Sequence, residues 1–158
     1  MKRKMGASKL KKLYNKYNAN KNVTLSVGDA DDKILFEVKH RLDIHELTNI
    51  VTYVSEGVVD VRAGTYHPEL KDYLLRLAVL KTYANFELQC NDNCWELVYG
   101  TPIFAMITGH DRRPVVFDGR EYDDNMVIDV EQYEQLLAAI DRMIDFLTNA
   151  ILQTDMIL

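Results

Sequence analysis

Residues 22–47 read NVTLSVGDADDKILFEVKHRLDIHEL, and within them the apolar rhythm changes once, from every second residue to every third or fourth. Val23, Leu25 and Val27 alternate with polar neighbours, the pattern of a half-buried strand. Gly28-Asp29-Ala30-Asp31-Asp32 is turn chemistry, and Ile34-Leu35-Phe36-Glu37-Val38 reads as the return strand. Residues 22–40 are therefore expected to form a β-hairpin. Asp43 opens a helix, because Glu46 stands three positions on and the pair can satisfy the first amides reciprocally, as a capping-box variant. Ile44, Leu47, Val51, Val54 and Val58 fall at helical spacing, and Gly57 and Gly64 fit termination nearby.

Pro68 suits the first turn of a second helix, where its missing N–H costs nothing. Leu70, Leu74, Leu77, Ala78, Lys81 and Ala84 share one side, with Lys81 the polar intruder; Tyr73, Leu80 and Phe86 widen the apolar surface, which predicts a central position. Thr101 and Pro102 start a short helix through Ile107. A polar insertion, 109–125, contains Val115 to Tyr122, with Asp118-Gly119 as the dipeptide of a tight hairpin turn. Asp129 and Gln132 form a second capping-box variant, and Tyr133, Leu136, Leu137, Ile140, Ile144, Leu147 and Ile151 trace a continuous stripe. The expectation is an α+β fold: three main helices packed with an N-terminal hairpin, and a second small hairpin at 115–122. Residues 1–22 form a basic arm and 23–158 a single domain.

Length and composition agree with one globular unit, since 158 residues with 47% apolar and 27% charged side chains can bury a core unaided. No apolar run is long enough to span a bilayer. The amino terminus runs into Leu10-Lys11-Lys12-Leu13 without the apolar centre of a secretory signal. With only two cysteines, this predicts free thiols and a cytoplasmic address. The net charge of −5 conceals an asymmetry: residues 1–22 hold eight basic side chains and no acid, which leaves 11 basic against 24 acidic groups, a balance of −13, on the rest.

Within the arm, Ser8–Asn18 can form a short helix with Leu10, Leu13, Tyr14 and Tyr17 on one side. Lys9, Lys11, Lys12 and Lys16 are its candidate binding residues. The arm has three readings: it docks on its own body, binds a nucleic acid through lysines and stacking tyrosines, or contacts a protein partner. The acidic run that includes Asp118, Glu121, Asp123 and Asp124 is either a solvated face or an imitation of nucleic-acid phosphates.

No convincing catalytic set emerges. Cys90 and Cys94 give one C-x3-C pair where a zinc site needs about four ligands. Asp31, Glu37 and Lys39 resemble the carboxylates and lysine of metal-dependent nucleases, but the alternation of Glu37 and Lys39 with Phe36 and Val38 is also that of a solvent-facing strand edge. His110-Asp111 lacks the further ligands of a phosphohydrolase, and His40 and His45 read as surface or capping groups. Neither G-x-S-x-G nor a glycine-rich phosphate loop is present. No catalytic residue, metal ligand or cofactor is assigned.

Tyr66-His67-Pro68-Glu69-Leu70-Lys71-Asp72, Tyr83-Ala84-Asn85-Phe86-Glu87-Leu88, Glu96-Leu97-Val98-Tyr99 and the helix around Ala139-Ile140-Asp141 carry a resemblance. Over residues 34–150 the chain resembles small proteins of unassigned activity encoded among the virion genes of gut Firmicutes prophages. The basic arm and the 109–125 insertion depart from that pattern. The resemblance implies a non-enzymatic phage accessory protein, found in the bacterial host cytoplasm or the virion, that binds phage structural or assembly proteins as an adaptor, minor structural protein or tail-assembly chaperone. It could also form a homo-oligomer. The competing expectation is a phage inhibitor whose acidic surface blocks a host nucleic-acid-binding enzyme.

Overall fold

The first hairpin pairs β1 (Val23–Val27) with β2 (Ile34–Val38) antiparallel, Leu25 opposite Phe36 and Val23 opposite Val38. Leu25, Phe36 and Val38 are buried while Thr24, Ser26, Leu35 and Glu37 face outward, so alternation selects the inner face as expected. The computed structural model describes residues 4, 6–18, 22–28, 31–88, 94–109, 115–117, 120–122 and 127–157, with backbone alone for 18, 115–117, 120–122 and 154–157. Before the hairpin stands α1 (Ala7–Asn18).

After the hairpin, α2 (Ile44–Val58) begins with the capping box anticipated at Asp43: the Glu46 N–H donates to the Asp43 carboxylate at 2.8 Å, and the Asp43 N–H to the Glu46 carboxylate at 3.2 Å. Its core side differs by one turn from the expected stripe. Ile50, Val54 and Val58 are buried with Ser55, Leu47 and Val51 are half-buried, and Ile44 is exposed. A hairpin not anticipated follows, β3 (Val59–Asp60) with β4 (Thr65–Tyr66). The Asp60 carboxylate accepts the Ala63 N–H at 3.1 Å, and Gly64 takes the left-handed φ of 65° that the turn requires.

Pro68 starts a 3-10 turn, and α3 runs from Lys71 to Thr82. Leu75, Leu77, Ala78, Val79 and Leu80 are buried, and so is Tyr83 just beyond; burial nearly all round confirms the central position. Lys81 is exposed, which corrects its placement among the core-facing residues. Two short helices follow, α4 (Cys94–Tyr99), which was not anticipated, and α5 (Ile103–Thr108), which was. The strands β5 (Val115–Phe117) and β6 (Arg120–Tyr122) pair antiparallel, Val116 opposite Glu121, as the small hairpin predicted; its Asp118-Gly119 turn lies outside the described residues.

The last helix, α6 (Val130–Ile157), buries Tyr133, Leu136, Ile140 and Ile144 against α2. Asp129 caps it by accepting the Gln132 N–H at 3.1 Å. The reciprocal half of that capping box is absent, because the Gln132 side chain turns inward to the Leu42 peptide. Three main helices with small antiparallel hairpins make the fold α+β.

Candidate interaction surface

Helix α1 presents every described side chain to solvent. At 100° per residue Leu13, Tyr17, Leu10 and Tyr14 fall within an arc of about 100°. Lys12, Lys16 and Lys9 line one margin of that arc, and Lys11 the other. Tyr17 and Leu10 are each 69% exposed, so the apolar arc is not consumed by the domain that carries it. The helix has no acid in its first turn and Lys16 in its last, where a cation complements the helix dipole. All four lysines named from sequence, Lys9, Lys11, Lys12 and Lys16, thus lie on one exposed helix around one apolar arc.

A partly buried ion pair within the body joins the loop before α2 to the start of α6, and Tyr14 of α1 approaches it. Arg41 Nη1 donates to Asp129 Oδ2 at 2.5 Å, and the Tyr14 side chain comes close enough to influence the same guanidinium. Burial acts to lower the Arg41 pKa, but the hydrogen bond and charge of Asp129 outweigh it and hold the pKa above its ordinary value. For Asp129, burial pushes the carboxyl up; the Gln132 N–H and then Arg41 bring it below the usual carboxylate range. His40 completes the cluster, its Nδ1 3.0 Å from the Val127 carbonyl and its Nε2 3.8 Å from Asp129. His40 is therefore half-buried and structural, which corrects its reading as a surface or capping group. Arg41, Tyr14 and Asp129 carry no sequence signal for one another, since their contact joins three elements distant in the chain.

A second exposed face lies on α3 and α4. Tyr73, Trp95 and Tyr99 form a continuous aromatic cluster, with ring centroids 5.1 Å apart for Tyr73–Trp95 and 4.5 Å for Trp95–Tyr99. The Arg76 guanidinium lies between the Tyr99 ring at 4.8 Å and the Phe104 ring at 4.5 Å. Asp72 Oδ2 accepts both Arg76 Nε at 2.9 Å and the Tyr99 hydroxyl at 2.6 Å. Burial and that hydrogen bond push the Tyr99 pKa up to about 12. The polar groups of this face are spent on one another, so it fastens α4 to α3. The unrecognised α4 hid the contact of Trp95 with its helical partner Tyr99.

The remaining candidates do not converge. Asp118, Asp123 and Asp124 lie outside the described residues, and Glu121 is placed on β6 by its backbone alone. Glu37 is exposed on β2 and Asp31 is exposed on the hairpin turn, while Lys39 pairs with Glu46 at 2.7 Å. Cys94 is buried at the start of α4, and Cys90 lies outside the described residues, as do His110 and Asp111. Among the described residues no three His, Cys, Asp or Glu side chains gather as a metal would need, and no helix is long and apolar enough to cross a membrane. No family model, no curated protein and no solved structure matches this chain.

Proposed function

We propose that this protein is a non-enzymatic phage binding module whose helix α1 docks into an apolar, acid-rimmed groove of a virion or assembly protein. The observation that carries the reading is the arc of Leu10, Leu13 and Tyr17, left exposed by its own domain while Tyr14 at its edge approaches Arg41, and bordered by Lys9, Lys11, Lys12 and Lys16. An amphipathic helix of this kind recognises a groove through side chains at i, i+3, i+4 and i+7, which are Leu10, Leu13, Tyr14 and Tyr17 here. At 12 residues α1 is marginal in isolation, so a groove that covers its arc also stabilises the helix. The lysines set the partner's charge: they favour a carboxylate-lined rim and speed encounter, while apolar contact holds the complex. The resemblance over residues 34–150 supports the phage setting.

The test is affinity capture of the tagged chain from phage-producing cells, washed at low and then high salt, beside a variant carrying Leu10→Ser, Leu13→Ser and Tyr17→Ser. Capsid, tail or portal proteins that survive high salt with the natural chain and vanish with the variant would support the reading. Retention of those proteins by the variant would remove α1 from the interface. Recovery instead of a host nuclease or polymerase released by salt would replace the reading with inhibition by an acidic surface.

A further inference from the structure

Between the last turn of α2, the β3–β4 hairpin and α6 lies a cleft of about 470 Å³, lined by Glu56, Val59, Asp60, Val61, Arg62 and Leu147. Its volume falls within the range of small-molecule sites, roughly 300–1,000 Å³. The chain passes from α2 directly into β3, because Val59 is already extended at the helix end, and β3 packs beside α6. The hairpin that forms one wall is fixed at its base and at its turn. The His67 N–H donates to the Val58 carbonyl at 2.7 Å, and the Asp60 carboxylate accepts the Ala63 N–H at 3.1 Å.

The lining is part apolar and part charged. Val59 is buried, Leu147 is half-buried and Val61 is 42% exposed. Glu56 and Arg62 are exposed, and neither takes part in an ion pair or side-chain hydrogen bond among the described residues. Opposite charges therefore border one cleft without neutralising each other. Asp60 holds the hairpin turn, so Glu56 is the uncommitted carboxylate. Glu56 also stands in the last turn of α2, where the helix dipole is negative and no basic residue answers it. A cation placed there gains from both the carboxylate and the helix end.

We infer that this cleft binds a short apolar peptide by its two ends. Its ammonium sits at Glu56 and the end of α2, its carboxylate at Arg62, and its side chains against Val59, Val61 and Leu147. A dipeptide has the matching length: its end charges stand up to about 7 Å apart, enough to bridge two groups that do not reach one another. The guanidinium offers a carboxylate a fork of parallel donors. A ligand with only one charge would leave Glu56 or Arg62 unanswered, whereas a zwitterion complements both. This inference is independent of the reading of α1.

Calorimetric titration of the full chain with leucyl-leucine tests it. The expected result is saturable binding in the millimolar range or tighter. Leucyl-leucine amide, which lacks the carboxylate, and N-acetyl-leucyl-leucine, which lacks the ammonium, should each bind several-fold more weakly. Arg62→Gln should weaken leucyl-leucine several-fold and leave the amide unaffected; Glu56→Gln should do the same with the N-acetyl form unaffected. Both side chains are exposed, so the melting curves should stay in place and separate loss of binding from loss of fold. No saturable binding of leucyl-leucine, or binding that neither substitution weakens, would overturn the inference. Free leucine binding as tightly as leucyl-leucine would overturn the assignment to a peptide.

Discussion

Gln132 holds both polar groups of the Leu42 peptide, ninety positions earlier in the chain: its Oε1 accepts the Leu42 N–H at 2.8 Å and its Nε2 donates to the Leu42 carbonyl at 2.9 Å. The same Oε1 accepts from the Tyr83 hydroxyl at 3.3 Å. Gln132, Leu42 and Tyr83 are all buried, so one amide joins the loop before α2, the end of α3 and the start of α6.

Gln132→Ala therefore strands a buried N–H, a buried carbonyl and a buried hydroxyl. The expected loss is about 2–4 kcal/mol, from roughly 1–3 kcal/mol for each unsatisfied buried group less what water recovers. Urea unfolding monitored by circular dichroism measures it. Gln135→Ala, an exposed substitution on the same helix, should change stability by no more than about 0.5 kcal/mol.

Acid should loosen the cluster at the start of α6. Asp129 has a depressed folded-state pKa, so its contribution is present above the unfolded carboxyl value of about 4 and is lost as pH falls through the folded value. The stability gap between the natural chain and Asp129→Asn should be widest near neutrality and close below about pH 4. A gap that is constant with pH would mean the carboxylate charge does not matter there.

At Gly28 the backbone has φ of +114°, and an added Cβ would collide with the Asp32 carbonyl. Both effects oppose any side chain. Gly28→Ala should cost about 1–3 kcal/mol in the first hairpin. Amide exchange at Leu25 and Phe36 should accelerate while that of Ile140 on α6 stays slow, unless the hairpin and the helices unfold as one unit.

Alkaline titration should resolve a late group of tyrosines. Burial raises Tyr83 strongly and brings Tyr133 up to about 12; burial with the Asp72 hydrogen bond brings Tyr99 to about 12. Tyrosinate absorbance should thus show a step well above the ordinary value of about 10, and Tyr99→Phe should shrink it. Asp72→Asn should move the Tyr99 share downward, because the carboxylate that disfavours the phenolate is gone. Trp95, the single tryptophan, packs at a tilt against Tyr99 and reports by its emission whether α4 stays docked.

Of the candidate surface, the helix and its lysines were legible because an amphipathic arc is a property of spacing alone. Its exposure was not, since the same arc would be written into a helix folded back on its own domain. The approach of Tyr14 to Arg41 was equally hidden, because neither residue belongs to a local pattern that names the other.

Local chemistry by itself determined the hairpin of residues 23–38, the Asp43–Glu46 cap, the core stripe of α6 and the α+β class. Those features rest on contacts between residues a few positions apart, and periodicity records them directly. Tertiary structure alone decided that Gln132 abandons its helix cap for Leu42, that His40 meets Val127, and that Ile44 stays exposed while Ile50 is buried. In each case two geometries satisfy the local rules, and the choice between them belongs to a distant element: a buried peptide left unpaired costs more than a cap left half-made.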